Sequence, residues 1–248
     1  VKYILLSILI FFNYNHEYSN QKPTKEGIEN FILYYKEDIY LDVENFLNDS
    51  IYDFYISVDN LSLYNDYDSM ELGRYIYPSE IIINNEEKFI DYKLALVSKW
   101  KRKQIKHTGK FVKSVLIHEL MHVYFNQVIA VLKYNKINVD KNYLPKSFFN
   151  NAMWSSEFIE EGVCEYLTQA MNESLYDDNF DLSPVEILNK PNNYEVKYRY
   201  SSKYLRPYLD SCYNADNKLF HAIQVLVSNP PPDDKELVNP DKYFQRLK

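Results

Sequence analysis

Glycine is scarce in this chain, 4 of 248 residues, where a usual share is near 7%. Tyrosine, asparagine, isoleucine and lysine are correspondingly abundant, a bias that matches AT-rich coding and carries no functional weight. Cysteine is scarcer still: Cys164 and Cys212 are the whole complement. Two cysteines make no disulfide framework, and they fall short of the Cys/His set that closes a structural zinc site. Positive charge is in deficit, with a formal net charge of -7 and a pI near 5.3, which argues against a dedicated nucleic-acid binder. Near the N-terminus the apolar run Tyr3 to Phe12 is too short for an ordinary membrane span. Preceded by Lys2 and followed by polar residues, it has the shape of a secretory signal over 1–20. That shape predicts a secreted or periplasmic protein with no stable membrane insertion after processing; a buried N-terminal element is the alternative. No internal repeat is present.

What is there is a folded composition, 46% hydrophobic, long enough for one domain or two closely packed lobes. Within it stands His118-Glu119-Leu120-Met121-His122. The surrounding segment Phe111 to Tyr134 spaces Phe111, Val115, Leu116, Leu120, Val123, Val128, Val131 and Leu132 at roughly helical intervals, so a helix is predicted with Thr108 and Gly109 at its entry. On a helix, positions i and i+4 differ by about 40° of rotation and about 6 Å of rise. His118 and His122 therefore project from one face and can share one metal. Zinc takes neutral histidine nitrogens, and a catalytic zinc needs a third protein ligand and an open position for water. Glu119 is placed to act as general base on a water acidified by the metal.

The third ligand is expected downstream, in Trp154 to Leu167. Ser155 or Ser156 is a helix cap there, Glu157 opens the first turn, and Phe158, Gly162, Val163, Tyr166, Leu167, Ala170 and Met171 form an apolar stripe. Glu157, Glu161 and Glu165 recur every four residues beside it; their mutual repulsion is relieved by a cation. The pair of signatures, H-E-L-M-H and Ile159-Glu160-Glu161-Gly162-Val163-Cys164-Glu165-Tyr166-Leu167, resembles the gluzincin peptidases, the group that includes thermolysin and the zinc aminopeptidases. The resemblance implies His118, His122 and Glu161 as zinc ligands, Glu119 as general base, and Glu165 as the acidic partner that orients a zinc-bound histidine. It covers about fifty residues. A departure from the pattern is the gap of 38 residues between His122 and Glu161, about twice the family's spacing, which leaves Glu157 and Glu160 as alternative ligands. The longer H-E-x-x-H-x-x-G-x-x-H layout is excluded by Phe125 and Val128. No aminopeptidase-type G-x-M-E-N stretch precedes the motif.

The implied fold is α+β and zincin-like: a small mixed N-terminal sheet and the H-E-x-x-H helix in 21–134, then a mainly helical lobe with the third ligand in 135–248, together one catalytic domain. Helices are predicted for Gly27 to Tyr40 and Ala215 to Val227, and strands for Ile51 to Val58 and Tyr75 to Asn84, with Glu80 to Asn84 the expected substrate-pairing edge. An oxyanion donor is expected among Tyr198, Tyr200, Tyr204 and His221, though with 25 tyrosines proximity selects none. Cys164 reads as a small packing residue, and the basic run Lys99 to Lys103 with Lys106 and His107 as a solvated face. The implied activity is hydrolysis of peptide or protein substrates by a zinc metallopeptidase, endo- or exo-acting. A zincin-fold protein that binds metal without turnover is the competing class, and a metal-free helical core protein a third.

Overall fold

A computed structural model of the chain describes residues 24–61, 72–85, 108–137, 139, 157–171, 194–213, 218–231 and 240–247. The signal-like run, the basic run, residues 138 and 140–156 of the segment joining the two signatures, and with them the candidate caps Ser155 and Ser156, lie outside the described residues. What is described is mixed α+β, mostly helical with one small sheet: α1 (Lys25–Leu47), β1 (Tyr55–Asp59), β2 (Gly73–Ile76), β3 (Glu80–Asn84), α2 (Thr108–Tyr134), α3 (Glu157–Met171), α4 (Tyr194–Tyr213), α5 (Lys218–Ser228) and α6 (Pro240–Leu247). By internal contacts it forms two compact units. The first holds α1, the sheet and α2 as far as Leu120; the second begins at Met121 and holds the rest of α2 with α3 to α6.

In the first unit, α1 starts where Thr24 caps it: its hydroxyl accepts from the Gly27 N–H at 3.1 Å, with Glu26 in the first turn, where a carboxylate suits the helix dipole. The apolar period carries on past Tyr40 through Val43 and Leu47, and the helix ends at Asn48, in the left-handed region at φ 51°, which asparagine tolerates better than most residues. Ile28, Phe31, Ile32, Ile39, Val43 and Leu47 are its buried stripe. The helix then holds the chain leading to β1: the Tyr40 hydroxyl donates to the Ile51 carbonyl, and Glu44 Oε1 accepts from the Ile51 N–H at 2.9 Å.

The sheet runs β1-β3-β2, with β3 parallel to β1 and antiparallel to β2. Two expectations are corrected here. Tyr75 to Asn84 is not one strand: Tyr77, Pro78 and Ser79 turn the chain back, the Tyr75 hydroxyl donates to the Pro78 carbonyl at 2.7 Å, and Ile76 pairs with Glu80. Nor is Glu80 to Asn84 an edge. It is the central strand, paired on both sides, and Ile81, Ile82, Ile83 and Asn84 are all buried, the continuous burial expected of a strand covered on both faces. Among the described residues the edges are β1 and β2.

Helix α2 is apolar nearly all round: Val112, Leu116, Ile117, Leu120, Met121 and Leu132 have no exposed surface. Val112–Tyr134 is long and apolar enough to cross a membrane by length and composition, but most of it is buried inside the protein, as a core helix is. In the second unit α3 packs along α4. Gly162 permits the approach, since a β-carbon there would stand 2.8 Å from Leu205 Cδ1 and 3.0 Å from the Ser201 carbonyl carbon. An aromatic cluster docks α6: Tyr204 sits edge-on to Phe158 at 5.5 Å, Tyr208 stacks on Phe244 at 5.5 Å, and the Tyr243 hydroxyl donates to the Asn229 carbonyl at 2.7 Å.

Candidate metal centre

The helix expected at the H-E-x-x-H motif is α2, Thr108–Tyr134, and its regular turn puts His122 one turn after His118. The helix expected for the third ligand begins at Glu157 and runs to Met171. Phe158, Ile159, Val163 and Leu167 anchor α3 in the core, and the adjacent Glu160 and Glu161 both reach His122. Glu161 Oε2 lies 3.4 Å from His122 Nε2. Two ligands held at roughly 2.0 to 2.1 Å by one tetrahedral zinc stand about 3.4 Å apart, so this separation fits a shared ion. With His118 included, one ligand atom from each of His118, His122 and Glu161 lies within 4.8 Å of the others. Two imidazoles and a carboxylate are also the donor set of a catalytic rather than a closed structural zinc site.

Comparison with family models, with curated proteins and with solved structures gives no match.

Glu160 faces the other side of the same ring: its Oε1 lies 3.0 Å from His122 Nδ1. Asn126, one turn beyond His122 on α2, donates from Nδ2 to Glu160 Oε1 at 3.0 Å and to the His122 carbonyl at 3.0 Å. Burial alone would lower the His122 pKa, but the Cys164 sulfur and the Glu161 and Glu160 side chains outweigh it and raise it well above the usual imidazole value. Burial pushes the Cys164 thiol up to about 12. Cys164 is fully buried and free.

Glu119 is buried, 5% exposed. Beside it comes β2, whose Gly73 would set a β-carbon 2.9 Å from Glu119 Oε1. Glu165 is also buried, and its Oε1 accepts from Gln169 Nε2 at 3.1 Å, while Gln169 Oε1 accepts from Arg206 at 2.7 Å. The family resemblance implies the orienting task for Glu165; on His122 the hydrogen-bonded carboxylate is Glu160. Asn126 and Gly73 had no place in the sequence reading. The first has a local signal, an amide four residues after a candidate ligand on one helix face; the second has none, because its neighbour lies 46 residues away in sequence. Of the oxyanion candidates, Tyr204 is buried in the aromatic cluster and His221 is exposed on α5. Tyr198 and Tyr200 lie in α4.

Proposed function

We propose that this protein is a zinc-dependent peptidase with a zincin-like catalytic arrangement, in which His118, His122 and Glu161 hold the metal and Glu119 is the general base. The observation that carries the reading is the 3.4 Å separation of His122 Nε2 and Glu161 Oε2, joined by His118 in one group on an H-E-x-x-H helix. Zinc held by such a set supplies a Lewis acid for a carbonyl and acidifies water. Glu119 takes a proton from the water that attacks the scissile carbonyl carbon and passes it to the leaving amine as the C–N bond breaks. Its burial suits proton transfer in a site of low water content. Peptide docking is assigned to an edge strand, and the edge that borders Glu119 is β2.

The test is cleavage of a broad peptide library by the full chain with zinc and after chelation, beside Glu119→Gln. Metal-dependent cleavage that Glu119→Gln loses while keeping stoichiometric zinc supports the reading. Full activity of Glu119→Gln rejects the general base. Stoichiometric zinc without cleavage of any peptide turns the protein into a metal-holding binding protein.

A further inference from the structure

Two adjacent glutamates on α3 reach opposite sides of one imidazole. Glu161 stands at Nε2, 3.4 Å away, and Glu160 at Nδ1, 3.0 Å away. Consecutive helical residues are about 100° apart, so the pair brackets the ring rather than converging on one point. An ionised carboxylate only accepts hydrogen bonds; a proton shared between Glu160 and His122 therefore belongs on Nδ1, which leaves the Nε2 lone pair for a metal. Glu160 is itself held, because the Asn126 amide donates to the same Oε1 at 3.0 Å and also to the His122 carbonyl at 3.0 Å. Ring, carboxylate and amide thus form a closed set across α2 and α3, and the His122 and Glu160 side chains in it are only 10% and 24% exposed.

We propose that Glu160 is a positioning residue, and not a ligand: with Asn126 it fixes His122 in the Nδ1–H tautomer and at the ring angle that offers Nε2 to the metal beside Glu161. The proposal rests on the metal-site reading above. It assigns a carboxylate from the residue next to a ligand, on the same helix, to the opposite nitrogen of another ligand. A carboxylate accepting Nδ1–H raises the basicity of the imidazole toward the metal, and loss of such a partner typically lowers metal affinity by about 10- to 100-fold.

The test uses the full chain as wild type, Glu160→Gln and Glu160→Leu. Zinc affinity is measured by competition with a chromophoric chelator, and the histidine ring N–H signals are followed by NMR in zinc-loaded, ring-15N-labelled protein. Glu160→Leu is expected to lose about 10- to 100-fold in zinc affinity and the exchange-protected Nδ1–H signal of His122. Glu160→Gln, whose amide oxygen still accepts, is expected to recover the signal and most of the affinity. A residue needed only for packing would alter thermal stability and leave that signal in place. If Glu160→Leu does not fold, Asn126→Ser carries the test, with faster exchange of the same N–H expected. Unchanged affinity and an unchanged N–H signal in whichever of these two variants is measured overturn the positioning role while the metal site stands. Loss of zinc from Glu160→Gln as complete as from His122→Ala makes Glu160 a ligand and also overturns it. A wild type that binds no zinc overturns the site and the positioning role together.

Discussion

Gly73 and Glu119 approach so closely that a β-carbon on the glycine would stand 2.9 Å from Glu119 Oε1, and 2.5 Å from Val115 Cγ1. Both distances are inside van der Waals contact, and Val115, being β-branched, has little rotamer freedom in a helix with which to withdraw. The chain has few glycines, and one of them lies where the antiparallel edge strand meets the helix carrying the proposed general base. Gly73→Ala should cost about 1–3 kcal/mol of stability through overpacking. It should also displace the Glu119 carboxylate, lowering turnover at least ~10-fold, equivalent to ~1.4 kcal/mol of barrier, with zinc stoichiometry unchanged. Steady-state kinetics beside metal analysis checks this, and full activity in a folded Gly73→Ala protein would show that Glu119 does not depend on the approach.

Gly162 should give the complementary result. Its β-carbon would meet Leu205 Cδ1 at 2.8 Å, which can rotate away, and the Ser201 carbonyl carbon at 3.0 Å, which cannot. Gly162→Ala is expected to push α3 off α4 and carry the adjacent Glu161 with it. The measured effect should be a fall in zinc affinity together with about 1–3 kcal/mol of lost stability, so that metal content falls here and holds in Gly73→Ala. Equal zinc affinity in Gly162→Ala and wild type would uncouple the helix packing from the ligand.

The contrast between these glycines shows how far sequence reading reaches. The two histidines, Glu119 and the helix under them were legible because i, i+4 geometry is local, and α1 to α3 and α5 were legible from apolar period. The α4 helix is not legible in the same way: Pro207 lies inside it, and a proline lacks the N–H that a helix interior uses, yet position 207 is exposed and the helix runs through. The β2-β3 hairpin reads as one strand in sequence because its turn, Tyr77-Pro78-Ser79, contains neither glycine nor asparagine. The Glu160 and His122 pairing depends on the rotation of α3 against α2, which no periodicity encodes. Gly73 depends on a contact between a strand and a helix far apart in sequence.

Tyr204 lies in the aromatic cluster of the second unit, at 5.5 Å from Phe158, 6.1 Å from Tyr243 and 5.7 Å from Phe244, and is 3% exposed. Such burial assigns it to packing rather than to an oxyanion. Tyr204→Phe should keep turnover within about threefold, whereas Tyr204→Ala should destabilise the second unit by about 3–5 kcal/mol, the usual cost of deleting a buried aromatic ring. Denaturant unfolding and peptide cleavage measured on both variants check the assignment. A folded Tyr204→Phe protein with turnover reduced 100-fold would return the hydroxyl to the chemistry.

The raised His122 pKa gives the metal-free and metal-loaded protein opposite responses to pH. In the metal-free fold, the charged imidazole facing Glu161 and Glu160 is stabilising, because the folded pKa lies above the unfolded value of about 6.5. That contribution is complete below about pH 6.5 and is lost as pH rises through the folded value. Zinc must displace the same proton, since a ligating histidine is neutral. Apparent zinc affinity should therefore climb about tenfold per pH unit for this one proton between the two pKa values, and calorimetry in buffers of different ionisation enthalpy should find a proton released from His122 on binding. The stabilisation by zinc, about 2.7 kcal/mol at 100 times the dissociation constant, should likewise appear at progressively lower free zinc as pH increases. In His122→Ala the fall in metal-free stability above pH 6.5 should vanish; a wild-type melting profile without that fall, taken in the presence of chelator, would show that His122 is not charged in the folded chain.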